Sequence, residues 1–245
     1  MSSKAARHAK PFFYRKIIQV SRSHNKSNTP TTIMNITFIG IGNVGFALAD
    51  NLSKSGHRVT IAARDANSES VKKALAKNPD LVCLAPTEAV ATADVVFLAT
   101  PYAANAAALA GLESALAGKV LVDCTNPVGA GLTHGLESKT SGAEEVQKLA
   151  PQAHVVKAFT IYGYENFIDS AYPGYGDLKA AMLIAGDDPA AKATVAELCT
   201  DLGWHPVDSG PLSNALHLEH MTLLWIKMGR VQGRGPGFVW GMLER

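Results

Sequence analysis

The sequence predicts an α/β fold, a doubly wound parallel sheet followed by a small C-terminal helical extension. Three observations predict it. From residue 34 onward, short apolar runs alternate with stretches of helical periodicity. A glycine-rich turn, Gly40-Ile41-Gly42-Asn43-Val44-Gly45, lies where the first such run meets the first helical stretch. The 245 residues are 47% hydrophobic and 18% charged, a globular composition long enough for one good-sized domain with a small appendage.

The elements follow in order. Asn35–Gly40 is a β-branched apolar run closed by glycine. Asn43–Ser55 places Val44, Leu48 and Leu52 on one helical face, and Gly56 ends it. Arg58–Ala63 reads as a second strand and "SESVKKALAK" as a second helix. Val82–Ala85 is a short strand, Thr87–Ala91 a helical turn and Asp94–Thr100 a strongly apolar strand. Ala103–Leu116 reads as one helix. Lys119–Cys124, Val155–Phe159 and Ala180–Ala185 are strands. Pro189–Leu202 is a helix capped near Asp187/Asp188, Trp204–Asp208 the last strand, and Ser213–Val231 helical. Residues 34–212 are expected to form an NAD(P)-binding domain of the Rossmann type, and residues 213–245 the helical segment.

The formal charge of +2 hides an asymmetry. Residues 1–33 hold seven basic residues and no acid, which leaves 16 Lys+Arg against 21 Asp+Glu, a net of −5, for the remainder. The folded part therefore has no excess positive charge to attract nucleic acid. The basic, Ser-rich tail is expected to be disordered. It has the composition of an organelle transit peptide, with "PFFYRKIIQV" able to form a short amphipathic helix, or it is an upstream extension of a chain starting at Met34. Cys83, Cys124 and Cys199 are far apart, which argues for reduced thiols, a cytoplasmic setting and no metal site. The apolar stretch Ala93–Leu112 is interrupted by Pro101, Tyr102 and Asn105, and reads as a buried strand and helix rather than a membrane span. A membrane partner is not expected; a homodimer stays open.

The glycine turn carries the first chemical signal. Gly40 permits a tight turn, Gly42 lets backbone approach a pyrophosphate, and Gly45 lets the helix pack on the strand. The helix N-terminus offers free N–H groups and the positive end of its dipole. An acid normally found some 20 residues on binds a ribose 2′-hydroxyl; here "IAARD" puts Arg64 there, with Asp65 beside it. A guanidinium pairs with phosphate through two hydrogen bonds, so the pattern favours NADP over NAD.

Six segments in order resemble a known family: "IGIGNVGFALADNLSKSGHRVTIAARD", "ADVVFLATPY", "LAGKVLVDCTNPV", "VVKAFTIYG", "AGDDPAAKATVAELCTDLGWHPVDSGPLSNALHLE" and "LLWIKM". They are similar to the NADPH-dependent reductases of the coenzyme F-420 oxidoreductase type, which share a dinucleotide domain with the cytosolic reductase part of six-transmembrane metalloreductases. The resemblance implies a Ser-Arg pair holding the 2′-phosphate; the arginine is Arg64, while Ala63 stands in the serine's place and Ser68 where some members carry a basic residue. It implies that Thr100, Pro101 and Tyr102 lie beside the ribose and pyrophosphate, and that Asn126 and Pro127 line the nicotinamide. Phe159, Thr160 and Ile161, with Gly210, Pro211 and Leu212, would face the substrate. Deazaflavin-using members carry a histidine near Thr160 and the metalloreductases an asparagine; this chain has neither.

The function expected is hydride transfer between NADP(H) and a deazaflavin such as coenzyme F-420, or FMN or FAD. Such transfer needs no protein nucleophile, so no catalytic acid or base is named. His134, His154, His205, His217 and His220 are candidates on chemistry alone, and His217, Glu219 and His220 read as a solvated helix face rather than a metal cluster. Two alternatives stand beside this. One is a small imine or keto-acid reductase, which needs a larger helical domain than the 33 residues after Leu212 provide. The other is a non-catalytic NADP-sensing module. The acceptor is expected between Pro127 and a wall of Thr160 and Leu212.

Overall fold

The structure, a computed structural model, describes residues 32–245. The expectations for the basic tail as far as Thr31, including "PFFYRKIIQV", lie outside the described residues. The elements are β1 (Asn35–Ile39), α1 (Asn43–Lys54), β2 (Arg58–Ala62), α2 (Glu69–Lys77), β3 (Val82–Leu84), α3 (Pro86–Ala91) and β4 (Val95–Leu98). Then come α4 (Asn105–Leu109), α5 (Glu113–Leu116), β5 (Val120–Asp123), α6 (Gly142–Leu149), β6 (His154–Lys157) and α7 (Glu165–Ile168). The chain ends with β7 (Ala181–Gly186), α8 (Pro189–Asp201), β8 (His205–Asp208) and α9 (Ala215–Ile226), which runs on through a π turn at Lys227–Val231.

These strands form one eight-stranded sheet in the order β3-β2-β1-β4-β5-β6-β7-β8. Both faces are covered, which is why the strands read as near-continuous apolar runs. Alternate side chains go to opposite faces. Ile36, Phe38, Val95, Phe97, Val122 and Val156 join Leu48 and Leu52 of α1 and Leu198 of α8 on one face. Ile39, Val96, Leu98, Leu121 and Val155 join Val90 of α3, Leu109 of α4, Leu116 of α5 and Val146 of α6 on the other. Each such buried aliphatic side chain contributes about 1.5–3 kcal/mol relative to exposure.

The sheet departs from the sequence reading in one consequential way. β1 to β6 are mutually parallel, but β7 pairs antiparallel with β6, and β8 runs parallel to β7. A parallel return needs a crossover, usually helical. Between β6 and β7 the only helix is the four-residue α7, so the chain re-enters the sheet from the edge it had left. Two smaller corrections concern helices. The expected helix Ala103–Leu116 is split into a 3-10 turn at Tyr102–Ala104, α4 and α5, with Gly111 in the left-handed region at φ 80°. α6 was not anticipated, although "SGAE" announces it: Ser141 Oγ accepts the Glu144 N–H at 3.1 Å and Glu144 Oε2 accepts the Ser141 N–H at 2.8 Å, a capping box.

Candidate functional site

The C-terminal ends of β1, β2, β4, β5 and β6 share one edge of the sheet. The order reverses between β1 and β4, whose following helices leave to opposite faces, and such a switch point is where open α/β sheets bind ligands. The glycine turn sits there. Gly40 has φ 96°, and a β-carbon on it would come within 2.8 Å of the Ala99 carbonyl group and the Thr100 nitrogen. A β-carbon on Gly45 would lie 2.2 Å from the Gly40 carbonyl oxygen. Gly42 differs: it is exposed, has φ −72°, and a β-carbon there would meet nothing within 4 Å. That open space, beside the free amides of a 12-residue helix, fits a pyrophosphate. Asn43 is exposed next to it, while Ile41 is buried and Val44 half-buried as spacers. A cleft of about 620 Å³ opens at Ile41, Gly42 and Asn43, is lined by α1 and by Glu69, Ser70 and Lys73 of α2, and reaches Tyr164 and Ile168.

Arg64 leaves the end of β2 and donates from its guanidinium to the Ala107 carbonyl of α4. The exposed arginine thus spans the gap between β2 and the helix after β4. Asp65 is occupied in its own turn, where Oδ1 accepts the Asn67 N–H at 2.8 Å. Ser68 is the residue before α2 and makes no side-chain cap bond. Thr100 Oγ1 donates to Asn105 Oδ1 at 2.8 Å, so toward a ligand it offers lone pairs only. Pro101 is exposed and Tyr102 half-buried. Burial, then the charges of Glu145, Glu219 and Asp123, raise the Tyr102 phenol and keep it neutral.

Asn126 and Pro127 follow β5. Thr160 Oγ1 donates to Asn126 Oδ1 at 2.6 Å, which orients the amide, and Thr222 Oγ1 of α9 donates to the Thr160 carbonyl at 2.9 Å. Phe159 enables this contact. It has φ 52°, left-handed for a non-glycine residue, a strain on the order of 1–3 kcal/mol. Its buried ring is held against Phe97 and Phe167, with centroids 5.7 Å and 6.1 Å away.

The other substrate-facing candidates are not at the site. Phe159 and Ile161 are 1% and 0% exposed and belong to the core. Leu212 is 3% exposed in the core of the opposite face, and its N–H donates to Asp187 Oδ1 at 2.9 Å. Gly210, Pro211 and Leu212 follow β8, which runs against β1–β6, so they lie at the far edge of the sheet. Of the proposed acceptor wall, only Thr160 stands beside Asn126.

Behind the Thr125–Pro127 loop lies a polar chain that the sequence reading missed. Thr100 leads to Asn105, whose Nδ2 donates to Thr125 Oγ1 at 2.9 Å, and that hydroxyl donates to Asp123 Oδ1 at 2.7 Å. Lys157 Nζ meets Asp123 Oδ2 at 2.9 Å and Glu219 Oε1 at 2.9 Å. Glu219 Oε2 meets His134 Nε2 at 2.8 Å. Burial alone would lower the Lys157 pKa; the two carboxylates outweigh it and hold it above the ordinary value. Glu219 is therefore not on a solvated helix face, although His217 and His220 are exposed. The available signal was a charge inside each apolar strand, "VLVDC" and "VVKAF".

A family model described as NADP oxidoreductase, coenzyme F420-dependent, matches residues 35–127. The F420-dependent NADP reductase of Methanothermobacter marburgensis is 30% identical over 203 residues, which cover 77% of this chain and 89% of that protein. Metalloreductase STEAP3 of Rattus norvegicus is 30% identical over 215 residues, covering 87% of this chain and 41% of the relative, so the chain spans less than half of that protein. A crystal structure from Arthrobacter sp. FB24, provisionally called an F420-dependent NADP reductase, is 31% identical with a TM-score of 0.77, covering 86% of this chain and 100% of that one. An imine reductase of Streptomyces aurantiacus, 22% identical with a TM-score of 0.56 over 79% of this chain and 62% of its own, shares the fold. Among the described residues, no helix is long and apolar enough to cross a membrane.

Proposed function

This chain belongs to the coenzyme F420-dependent NADP oxidoreductase family, and from that premise we propose that it transfers a hydride between NADP(H) and a flat, flavin-like acceptor, a deazaflavin or a flavin. The observation that carries the reading is the open α1 N-terminus at Gly42 with Arg64 at the end of the neighbouring strand. Together they suit a pyrophosphate and a 2′-phosphate.

Bound NADPH supplies a hydride, two electrons and one proton, and the acceptor takes one further proton from water. The protein's part is position and exclusion of water. Gly42 and the first amides of α1 would hold the pyrophosphate. Arg64 would exchange its bond to Ala107 for the 2′-phosphate. Thr100 would accept a hydrogen bond from the cofactor's polar groups. The Asn126 amide is locked by Thr160, with Oδ1 accepting its hydroxyl and Nδ2 donating to its carbonyl at 3.4 Å, so its second N–H would face the ring, and Pro127 would supply an apolar edge.

The test is direct. The protein is mixed with NADPH and FMN, FAD or the deazaflavin in turn, and absorbance at the nicotinamide band is followed. Loss of the band with one acceptor supports the reading. Binding of NADPH without oxidation by any of them overturns it in favour of an NADP-sensing module.

A further inference from the structure

Asp123, Lys157 and Glu219 place two carboxylates and one ammonium in the interior, each side chain no more than 1% exposed. Hydrogen-bond donors surround the two acids. Asp123 Oδ1 accepts the Thr125 N–H at 2.9 Å and the Thr125 hydroxyl at 2.7 Å, and Oδ2 accepts Lys157 Nζ at 2.9 Å. Glu219 Oε1 faces the same ammonium in an ion pair, and Oε2 accepts the Gly142 N–H at 3.0 Å. His134 Nδ1 accepts the N–H groups of Leu136 and Ser138 at 3.3 Å and 3.2 Å, so its own proton resides on Nε2 and points at Glu219 Oε2. Two carboxylates set against one ammonium give the cluster a net charge of −1. The same geometry rules His134 out as a proton relay, because its second nitrogen is already occupied.

An uncompensated buried charge is costly. The first amide of α6 at Gly142 offsets part of it, as an anion at a helix N-terminus does. The cluster packs against the loop after β5. Lys157 Nζ also donates to the Thr125 carbonyl. A β-carbon on Gly142 would stand 3.1 Å from Glu219 Oε1, 3.1 Å from Pro127 Cδ and 2.9 Å from Tyr102 Cε2. The carboxylate therefore sits immediately behind two of the residues assigned to the cofactor.

We propose that the Asp123–Lys157–Glu219 cluster is an electrostatic positioning device whose net negative charge favours the oxidised, positively charged nicotinamide over the neutral reduced ring, and so biases the site toward giving up a hydride. The proposal rests on the reading of this edge as an NADP site.

The test is the ratio of dissociation constants for NADP⁺ and NADPH, measured by calorimetry on the full chain without any acceptor. Glu219→Gln removes the net charge. The ratio Kd(NADP⁺)/Kd(NADPH) should rise about tenfold, the effect of one unit charge roughly 12 Å away at an effective dielectric of about 20. A merely structural role would weaken both cofactors together and leave the ratio alone. Should Glu219→Gln fail to fold, Asp123→Asn removes the same net charge while leaving Lys157 paired with Glu219, and should raise the ratio by the same factor. An unchanged ratio across these proteins overturns the proposal while leaving the site intact. A parent chain that binds neither form overturns the reading of the site itself.

Discussion

The carbonyl oxygen of Gly40 lies 2.2 Å from the position a β-carbon would take on Gly45. That approach locks α1 onto the end of β1, while Gly42, two residues into the same turn, faces open space. The glycines therefore separate by experiment. Gly45→Ala must push the helix off the turn and should lower stability by about 1–3 kcal/mol, the usual cost of overpacking. Gly42→Val should leave the melting temperature near the parental value and weaken NADPH binding, because its side chain would occupy the pyrophosphate's place. Calorimetry beside thermal melts reads both; unchanged NADPH affinity in a folded Gly42→Val protein would remove the phosphate from this turn.

Arg64 is exposed and, among the described residues, its side chain bonds only to the Ala107 carbonyl. Exchanging that bond for a charge-assisted pair with a 2′-phosphate should favour NADPH over NADH by about 1.5–3 kcal/mol. Arg64→Ala should remove most of the difference while NADH affinity stays put. Equal dissociation constants in the parent chain would show that Arg64 does not read the phosphate.

Removing one partner of a buried charge pair is far worse than replacing both. Lys157→Met alone should cost about 3–5 kcal/mol in urea unfolding, and the triple change Asp123→Asn/Lys157→Met/Glu219→Leu distinctly less. The alkaline limb gives a second reading. The folded-state pKa of Lys157 is raised by its carboxylates, so its contribution is fully present below the unfolded lysine value of about 10.4 and is lost as pH rises through the higher folded value. The parent chain should lose stability in that strongly alkaline window, and the triple variant should lack this component of the loss.

Leu212 lies in the core at the sheet edge opposite the cofactor. Leu212→Asp should therefore unfold the protein or lower its melting point sharply, with a cost above about 3 kcal/mol for an unpaired buried carboxylate. Thr160→Val is the informative change at the acceptor side: it frees the Asn126 amide and should reduce hydride transfer more than NADPH binding. A stable Leu212→Asp protein deficient only in acceptor turnover would put the acceptor at the far edge after all.

Sequence by itself determined what local stereochemistry controls. The turn at Gly40–Gly45 needs a left-handed residue and two close backbone approaches, and only glycine supplies them; the β/α alternation shows as a change of period from residue to residue. That Arg64 and the Thr100–Tyr102 and Asn126–Pro127 loops share one edge was legible because in a parallel sheet every strand ends at the same edge. Tertiary structure decided what depends on direction and partners. The segment after β6 carries no crossing helix, so β7 and β8 reverse, and Gly210–Leu212 moved to the far edge with no change in their local pattern. Asp123 and Lys157 each read as a charge at the end of a strand. Their register brings them side by side, and Glu219, from a helix 62 residues further on, completes the group. No local signal encodes such a meeting. It follows from the cost of leaving a buried charge unpaired, which is settled only when distant segments pack together.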